Sequence, residues 1–245
     1  MVADAKDHVL CVLVEGKRQD ELCEVARSIH SACALNAEIV FIDSTGSLSE
    51  QTPPKGSAVL ATAGTNTQHT NPVLTALSSV AMQRPGKDVL LLNQRVRLPF
   101  GFDRRLKFVA YADDNIASVS PLSNTDEIFN VLLPDVVDTG LDVATLDRLV
   151  FNLSDRTYYE VPRFFSDCTY IRANALTEIR GAQDIQGSTI SAVADQIGRA
   201  FRLSGYLNVL CDHLYVCAEA LPVTGPAKEK SEDEAAFDAK HPITR

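Results

Sequence analysis

No stretch of the 245 residues approaches the roughly 20 consecutive apolar residues that a membrane-spanning helix needs, so no segment is expected to cross a bilayer. Positive charge is also scarce. The 23 Lys and Arg stand against 32 Asp and Glu, a formal charge of -9, which argues against a broad electrostatic footprint for nucleic acid. The six cysteines include no C-x-x-C pair, and Cys211 and Cys217 are too loosely spaced for a zinc site without histidines at ligand spacing. Thr62, Ala63, Gly64 and Thr65 contain one glycine and no lysine, so they form no phosphate-cradling loop. There is no G-x-G-x-x-G for a dinucleotide and no G-x-S-x-G elbow for a hydrolase. The first seven residues carry no apolar run between a basic start and a cleavage site, so no signal peptide is expected. The expected compartment is a reducing cytoplasm, with the cysteines as buried thiols.

What remains is an ordinary globular composition, 45% hydrophobic and 22% charged, without internal repeats. A chain of this length buries roughly 70 to 75% of the surface that its unfolded form exposes. The run His8 to Val14 is short, apolar and almost continuous, as in a strand covered on both faces. From Gln19 to Leu35, Leu22, Val25, Ala26, Ile29, Ala32 and Cys33 recur mostly at helical spacing, and Glu38 to Asp43 reads as a second strand. Strand, helix and strand make a parallel unit with a right-handed crossover, and such sheets bind ligands at the carboxyl ends of their strands.

The same reading continues down the chain. Strands are expected at Ala58 to Ala61, Asp88 to Asn93, Ala117 to Val119, Tyr158 to Val161, Cys168 to Ile171 and Leu207 to Leu210. Helices are expected at Val73 to Met82, from Leu98, Pro99 and Phe100 to about Tyr111, within Thr139 to Asn152, at Ala173 to Ile179, and at Ile190 to Leu203 with Ser204 and Gly205 as its stop. His69 and His213 are single and read as loop or surface residues. Residues 1–225 are expected to form one α/β domain, with a nucleotide half at about 8–97 and an acceptor half at about 98–220. Residues 226–245 are charged and poor in apolar side chains, a tail or linker.

Four segments carry a resemblance. They are D-V-L-L-L-N-Q-R-V at Asp88 to Val96, A-Y-A-D-D-N-I-A-S-V-S-P-L-S-N at Ala110 to Asn124, E-V-P-R-F-F-S-D-C-T-Y-I-R at Glu160 to Arg172, and R-L-S-G-Y-L-N-V-L at Arg202 to Leu210. Their content and order, within a similarity from about His8 to Val216, resemble the family 2 glycosyltransferases of GT-A fold, of the type that builds bacterial polysaccharides. The resemblance implies a mostly parallel central sheet flanked by helices. It also implies inverting transfer of a hexose or deoxyhexose from a nucleotide-diphosphate sugar to a glycan hydroxyl in surface polysaccharide assembly.

That chemistry needs a cation for the departing diphosphate, and the family uses Mg²⁺ or Mn²⁺ held by oxygen ligands. The family's D-x-D-type motif, often N-S-D or D-x-D, falls on Asn93, Gln94 and Arg95, so an arginine occupies the place of a metal-ligating aspartate. The family's late metal-contacting histidine falls near Cys217, and thiols suit hard cations poorly. The acidic cluster that supplies the base becomes A-V-A-D-Q-I, leaving Asp195, one position out of register with Val193 and Ala194. The resemblance therefore implies a metal whose ligands are missing, so no cofactor is assigned and transfer without metal is the expectation. Arg95, with Arg97 nearby, would assist the diphosphate through a planar fork suited to phosphate oxygens.

On the nucleotide side the resemblance points to Asp43 and Ser44, at the family's D-D pair, and to Glu15 near the base. On the acceptor side it points to Asp167 beside Cys168. Partners implied are the sugar donor and the glycan acceptor, with a cytoplasmic location, peripheral at the inner face of the membrane. A second reading is an inactive GT-A domain serving as an interaction module of a larger synthesis protein, with residues 226–245 as its tether.

Overall fold

The computed structural model describes residues 8–14, 19–43, 53–61, 72–125, 128–130, 141–179 and 190–218. Within them the elements run β1 (His8–Val14), α1 (Gln19–Ala32), β2 (Ala37–Asp43), β3 (Ser57–Ala61), α2 (Pro72–Gln83), β4 (Asp88–Asn93), β5 (Val96–Arg97), α3 (Phe102–Ala110) and β6 (Ile116–Leu122). They continue with α4 (Val143–Leu153), β7 (Tyr158–Val161), β8 (Cys168–Ile171), α5 (Ala173–Ile179), α6 (Ile190–Leu203), β9 (Leu207–Tyr215) and β10 (Cys217–Ala218).

Eight strands form one sheet in the order β3-β2-β1-β4-β8-β6-β9-β7. β1, β2, β3, β4, β6 and β9 share one direction, and β7 and β8 oppose it. The sheet is thus mostly parallel, and it joins strands from the expected nucleotide and acceptor halves. The apolar runs are continuous because the sheet is covered on both faces. Leu10, Val12, Ile39, Phe41, Leu90 and Leu92 pack with Leu22, Ala26, Leu106 and Val109 of α1 and α3. Alternate residues Val9, Cys11, Val40, Ile42, Val89 and Leu91 pack with Leu77 and Val80 of α2 and with Val193, Ile197 and Phe201 of α6.

Polar groups fasten these layers. Asp103 is fully buried, and its carboxylate accepts the N–H groups of Ala34, Leu35 and Arg104, each at 2.9 Å. It ties the turn after α1 to the start of α3. Asn208 is also fully buried. Its Oδ1 accepts the Ser118 hydroxyl at 2.7 Å and its Nδ2 donates to the Gly198 carbonyl at 2.9 Å, linking β6, β9 and α6. The end of α6 follows the expected stop. Gly205 takes φ 85°, its N–H reaches the Arg202 carbonyl, and the Tyr206 N–H reaches that of Phe201, the paired bonds of a Schellman cap.

Several boundaries differ from the sequence reading. The helix expected from Leu98 begins only at Phe102, because Pro99 disfavours helical backbone at Leu98 and Gly101 turns at φ 76°. Asp142 caps α4 by accepting the Thr145 N–H at 2.8 Å, so that helix starts after the expected Thr139, which lies outside the described residues. α1 ends at Ala32, short of Leu35, where the Asp103 carboxylate takes the following N–H groups. β6 and β9 are longer than the apolar cores that announced them. Expected tail residues 226–245 lie outside the described residues.

Gly198 has little room for a side chain. A Cβ there would stand 3.0 Å from the Arg163 Cα and 3.4 Å from the Asn208 Nδ2. Alanine gains about 0.5–1 kcal/mol of helix preference, against roughly 1–3 kcal/mol for overpacking. Gly198→Ala is therefore expected to lower stability by about 1–2 kcal/mol, read as a reduced urea midpoint at unchanged slope.

Candidate functional site

The carboxyl ends of the parallel strands converge on one edge, the place where open α/β sheets bind ligands. Asn93 ends β4 there. Its N–H donates to the Asp167 carbonyl at 2.8 Å and its Nδ2 to Asp167 Oδ1 at 3.1 Å, while its own Oδ1 accepts the Arg95 N–H at 3.1 Å. Asn93, Arg95 and Asp167, singled out separately from the sequence, are thus joined in one arrangement. Gln94 lies between them, and its buried Oε1 meets no donor among the described residues.

After this turn the chain enters β5, which pairs antiparallel with β10: Arg97 stands opposite Cys217 and Val96 opposite Ala218. The resemblance matched Arg95 and Cys217 to two metal-contacting positions of the family, and the fold brings their two segments side by side. Both strands have two residues, too short for a hydrophobic period, and escape sequence reading. Asn124 secures β10 from the end of β6. Its Nδ2 donates to the Ala218 carbonyl at 2.9 Å and its Oδ1 accepts the Ala218 N–H at 2.8 Å.

β9 bulges just before β10. Pro121 pairs with Cys211 but Leu122 pairs with Tyr215, so Asp212, His213 and Leu214 are extra residues. This excursion is anchored rather than loose. Arg105 donates to the His213 carbonyl at 3.0 Å and to Asp147 Oδ2 at 2.7 Å, and Asp147 Oδ1 accepts the Tyr215 N–H at 3.0 Å. His213 is buried, 3.2 Å from Asp212 Oδ1 and edge-on to Phe151, contrary to the surface position expected of it. An isolated histidine in sequence gives no sign of a bulge that folds it inward. His69 lies outside the described residues.

Asp43 ends β2, its backbone level with Val14 of β1 and Ala61 of β3 at the same sheet edge. Its side chain, and all of Glu15 and Ser44, lie outside the described residues. Asp195 sits on α6 and forms an ion pair with Arg163 of the β7–β8 connection, Nε to Oδ1 at 3.1 Å, with both side chains about four-fifths buried. Val193 and Ala194, where the family's acidic cluster would begin, face the core. A groove lined by Glu160, Arg199, Arg202 and Tyr206 lies at the far end, where β9 begins, and does not share the carboxyl edge.

The thiols report the same burial. None of the six cysteines forms a disulfide; Cys11, Cys168 and Cys211 are buried, whereas Cys23, Cys33 and Cys217 are only partly so, short of the full burial expected. Burial pushes Cys11 and Cys211 from 9.0 up to about 12, and Cys168 is raised by burial and by the Asp167 charge. Burial likewise pushes Tyr215 from 10.0 up to about 12. Above the unfolded thiol value of 9.0 the unfolded chain binds fewer protons than the folded one, so stability falls as pH rises. The thiol contribution is complete below about pH 9 and is lost through the interval up to about 12. Urea midpoints measured across this interval are expected to decline, and Cys211→Ala to decline less steeply.

Among the described residues, the positions matched to the family's metal contacts do not suit a hard cation. Arg95 brings positive charge, the Asn93 amide oxygen is engaged by the Arg95 N–H, and Cys217 offers sulfur where Mg²⁺ and Mn²⁺ take oxygen. Among the described residues, no three or more His, Cys, Asp or Glu side chains are grouped to hold a metal ion.

No family model and no curated protein matches this sequence. Solved structures do match in fold. The crystal structure of GalNAc-T7 with UDP, GalNAc and Mn2+ superposes with a TM-score of 0.55 at 13% identity, over 87% of this chain and 44% of that one. The mannosyltransferase PcManGT from Pyrobaculum calidifontis, in complex with GDP-Man and Mn2+, superposes with a TM-score of 0.57 at 16% identity, over 90% of this chain and 58% of that one. The chain spans about half the length of these structures. Its strand order, its helices on both sheet faces and these superpositions together give it the GT-A fold of glycosyltransferases.

Proposed function

We propose that the chain binds a nucleoside-diphosphate sugar at the carboxyl edge of its sheet and transfers the sugar to a glycan hydroxyl, with the Arg95 guanidinium in the place of a divalent cation. The observation that carries this reading is the position of Arg95: it follows the end of β4, on a turn held by Asn93 and beside the β5–β10 pair. The two solved neighbours named above hold a nucleotide or nucleotide sugar together with Mn2+. In this reading the diphosphate gains charge as the sugar departs, and a fixed guanidinium offers two parallel N–H donors to its oxygens. Asp43, Ser44 and Glu15 would hold the nucleoside, and Asp167 marks the acceptor side.

The finer proposals follow the resemblance. They are direct displacement with inversion, a hexosyl or deoxyhexosyl donor, family 2 membership, surface polysaccharide assembly in the cytoplasm at the inner face of a membrane, and a protein partner reached through residues 226–245. Calorimetry with UDP, GDP and dTDP sugars tests the core of the proposal. Binding is expected in EDTA and unchanged by added Mn²⁺. A folded protein that gives no heat with any of them overturns it.

One observation favours the inactive-module reading instead. Asp195 is occupied by Arg163, an ion pair that must break before the carboxylate can take a proton from an acceptor. Sugar transfer by the unaltered chain rules that reading out.

A further inference from the structure

We propose that Asp167 and Asn93 act as a positioning pair, through which the acceptor-side strand β8 sets the turn that carries Arg95; the inference rests on the nucleotide-sugar reading above. The geometry is a relay of three hydrogen bonds. β4 and β8 run antiparallel with Leu92 opposite Cys168, so Asn93 and Asp167 meet one step beyond the paired residues. There Asp167 accepts twice from Asn93, through its carbonyl at 2.8 Å and its Oδ1 at 3.1 Å. Asn93 in turn accepts the Arg95 N–H at 3.1 Å.

An amide side chain performs both of these tasks at once. Its NH₂ donates to the carboxylate while its oxygen receives the N–H of the residue two positions on. An aspartate at 93 could receive Arg95 but would turn a second carboxylate toward Asp167. Asparagine at the end of β4 and aspartate before β8 are therefore matched to one another. The match also explains how a turn can present a guanidinium without a metal to organise it. A long side chain exerts its charge usefully only if its backbone is fixed to within about 0.5 Å. Asp167 supplies that restraint from the strand on which the acceptor side is built, which links the two halves of the proposed reaction.

The role assigned to Asp167 is that of an acceptor of hydrogen bonds, not of a charge in the reaction. The two variants Asp167→Ala and Asp167→Asn separate these possibilities. Asp167→Ala removes the side-chain acceptor and is expected to weaken UDP or GDP binding about tenfold, at the lower end of what losing a supporting partner costs at built sites. Binding of uridine or guanosine, which lack the diphosphate, is expected to stay constant. Asp167→Asn keeps an oxygen facing Asn93 and is expected to bind within about twofold of the unaltered protein.

Ligand-free hydrogen exchange at the Arg95 amide gives a second readout, faster in Asp167→Ala and close to normal in Asp167→Asn. If the asparagine variant loses as much affinity as the alanine variant, the carboxylate charge is what matters and the positioning role is wrong. Unchanged exchange at Arg95 in Asp167→Ala also overturns it. A protein that binds no nucleoside diphosphate, yet shows the expected exchange, keeps the pair and overturns the nucleotide-sugar reading.

Discussion

Asp88→Ala is expected to cost about 2–3 kcal/mol of stability, the upper part of the range for leaving a buried donor without its acceptor, since one of its three partners is buried and two are part-buried. Asp88 opens β4 at the edge remote from the candidate site. Its Oδ2 accepts the hydroxyls of Tyr111 and Tyr170, both at 2.7 Å, and its Oδ1 accepts the Ala173 N–H at 2.8 Å. One carboxylate thus joins the end of α3, strand β8 and the start of α5. Truncation removes the acceptor of the Tyr170 hydroxyl, which lies in the core. Asp88→Asn keeps acceptor capacity and is expected to lose less, about 1–2 kcal/mol. Urea unfolding checks both, through midpoints that fall at constant slope. The Tyr111 phenol gives an independent signal. It is pushed up to about 12, first by burial and then by its hydrogen bond to Asp88 and that residue's charge, so in the alanine variant its ionisation moves down.

Most of the framework was legible because burial writes itself into sequence as continuous apolar runs. His8–Val14, Asp88–Asn93 and Cys168–Ile171 are such runs with the expected bounds, the edge strand Tyr158–Val161 has its expected bounds although Tyr159 and Glu160 are exposed, and Ile190–Leu203 shows its helical period and its glycine stop. Direction and order of strands are a different matter. Nothing in C-T-Y-I says that β8 inserts antiparallel between β4 and β6, since that depends on the path of the preceding chain rather than on the strand.

The candidate site was legible residue by residue and not in its connections. Asn93, Arg95 and Asp167 were each visible at strand ends, yet residues 93 and 167 meet only because β8 lies beside β4. Asp195 was visible only as the acid left on the last helix. Its ion pair with Arg163 comes from a segment 32 positions earlier, which the close passage at Gly198 admits. β5, β10 and the bulge at Asp212 to Leu214 carry no periodic signal, because two-residue strands and bulges are set by neighbours.

Arg95→Glu is expected to weaken nucleoside-diphosphate binding about 100-fold, or about 2.7 kcal/mol, on the proposal that this side chain takes the leaving-group charge. Reversing the sign turns an attraction at contact distance into a repulsion, and the loss is expected to shrink as salt is raised. Arg95→Lys keeps the charge and loses the planar fork, so an intermediate loss, about tenfold, is expected. Uridine or guanosine binding serves as the control, since neither carries the diphosphate. Stability is expected to change little, because Arg95 reaches the fold through its backbone N–H, which glutamate and lysine retain. The converse experiment tests the exchange of cation for guanidinium directly. Arg95→Asp combined with Cys217→His places an oxygen and a nitrogen ligand on the two segments that β5 and β10 bring together. That double variant is expected to bind nucleoside diphosphates weakly in EDTA and to recover affinity with Mn²⁺, whereas the unaltered chain is expected to be indifferent to the metal. Calorimetry with and without Mn²⁺ reads both. If the unaltered chain needs Mn²⁺ to bind, or if Arg95→Glu binds as tightly as the unaltered chain, Arg95 does not stand in for the cation.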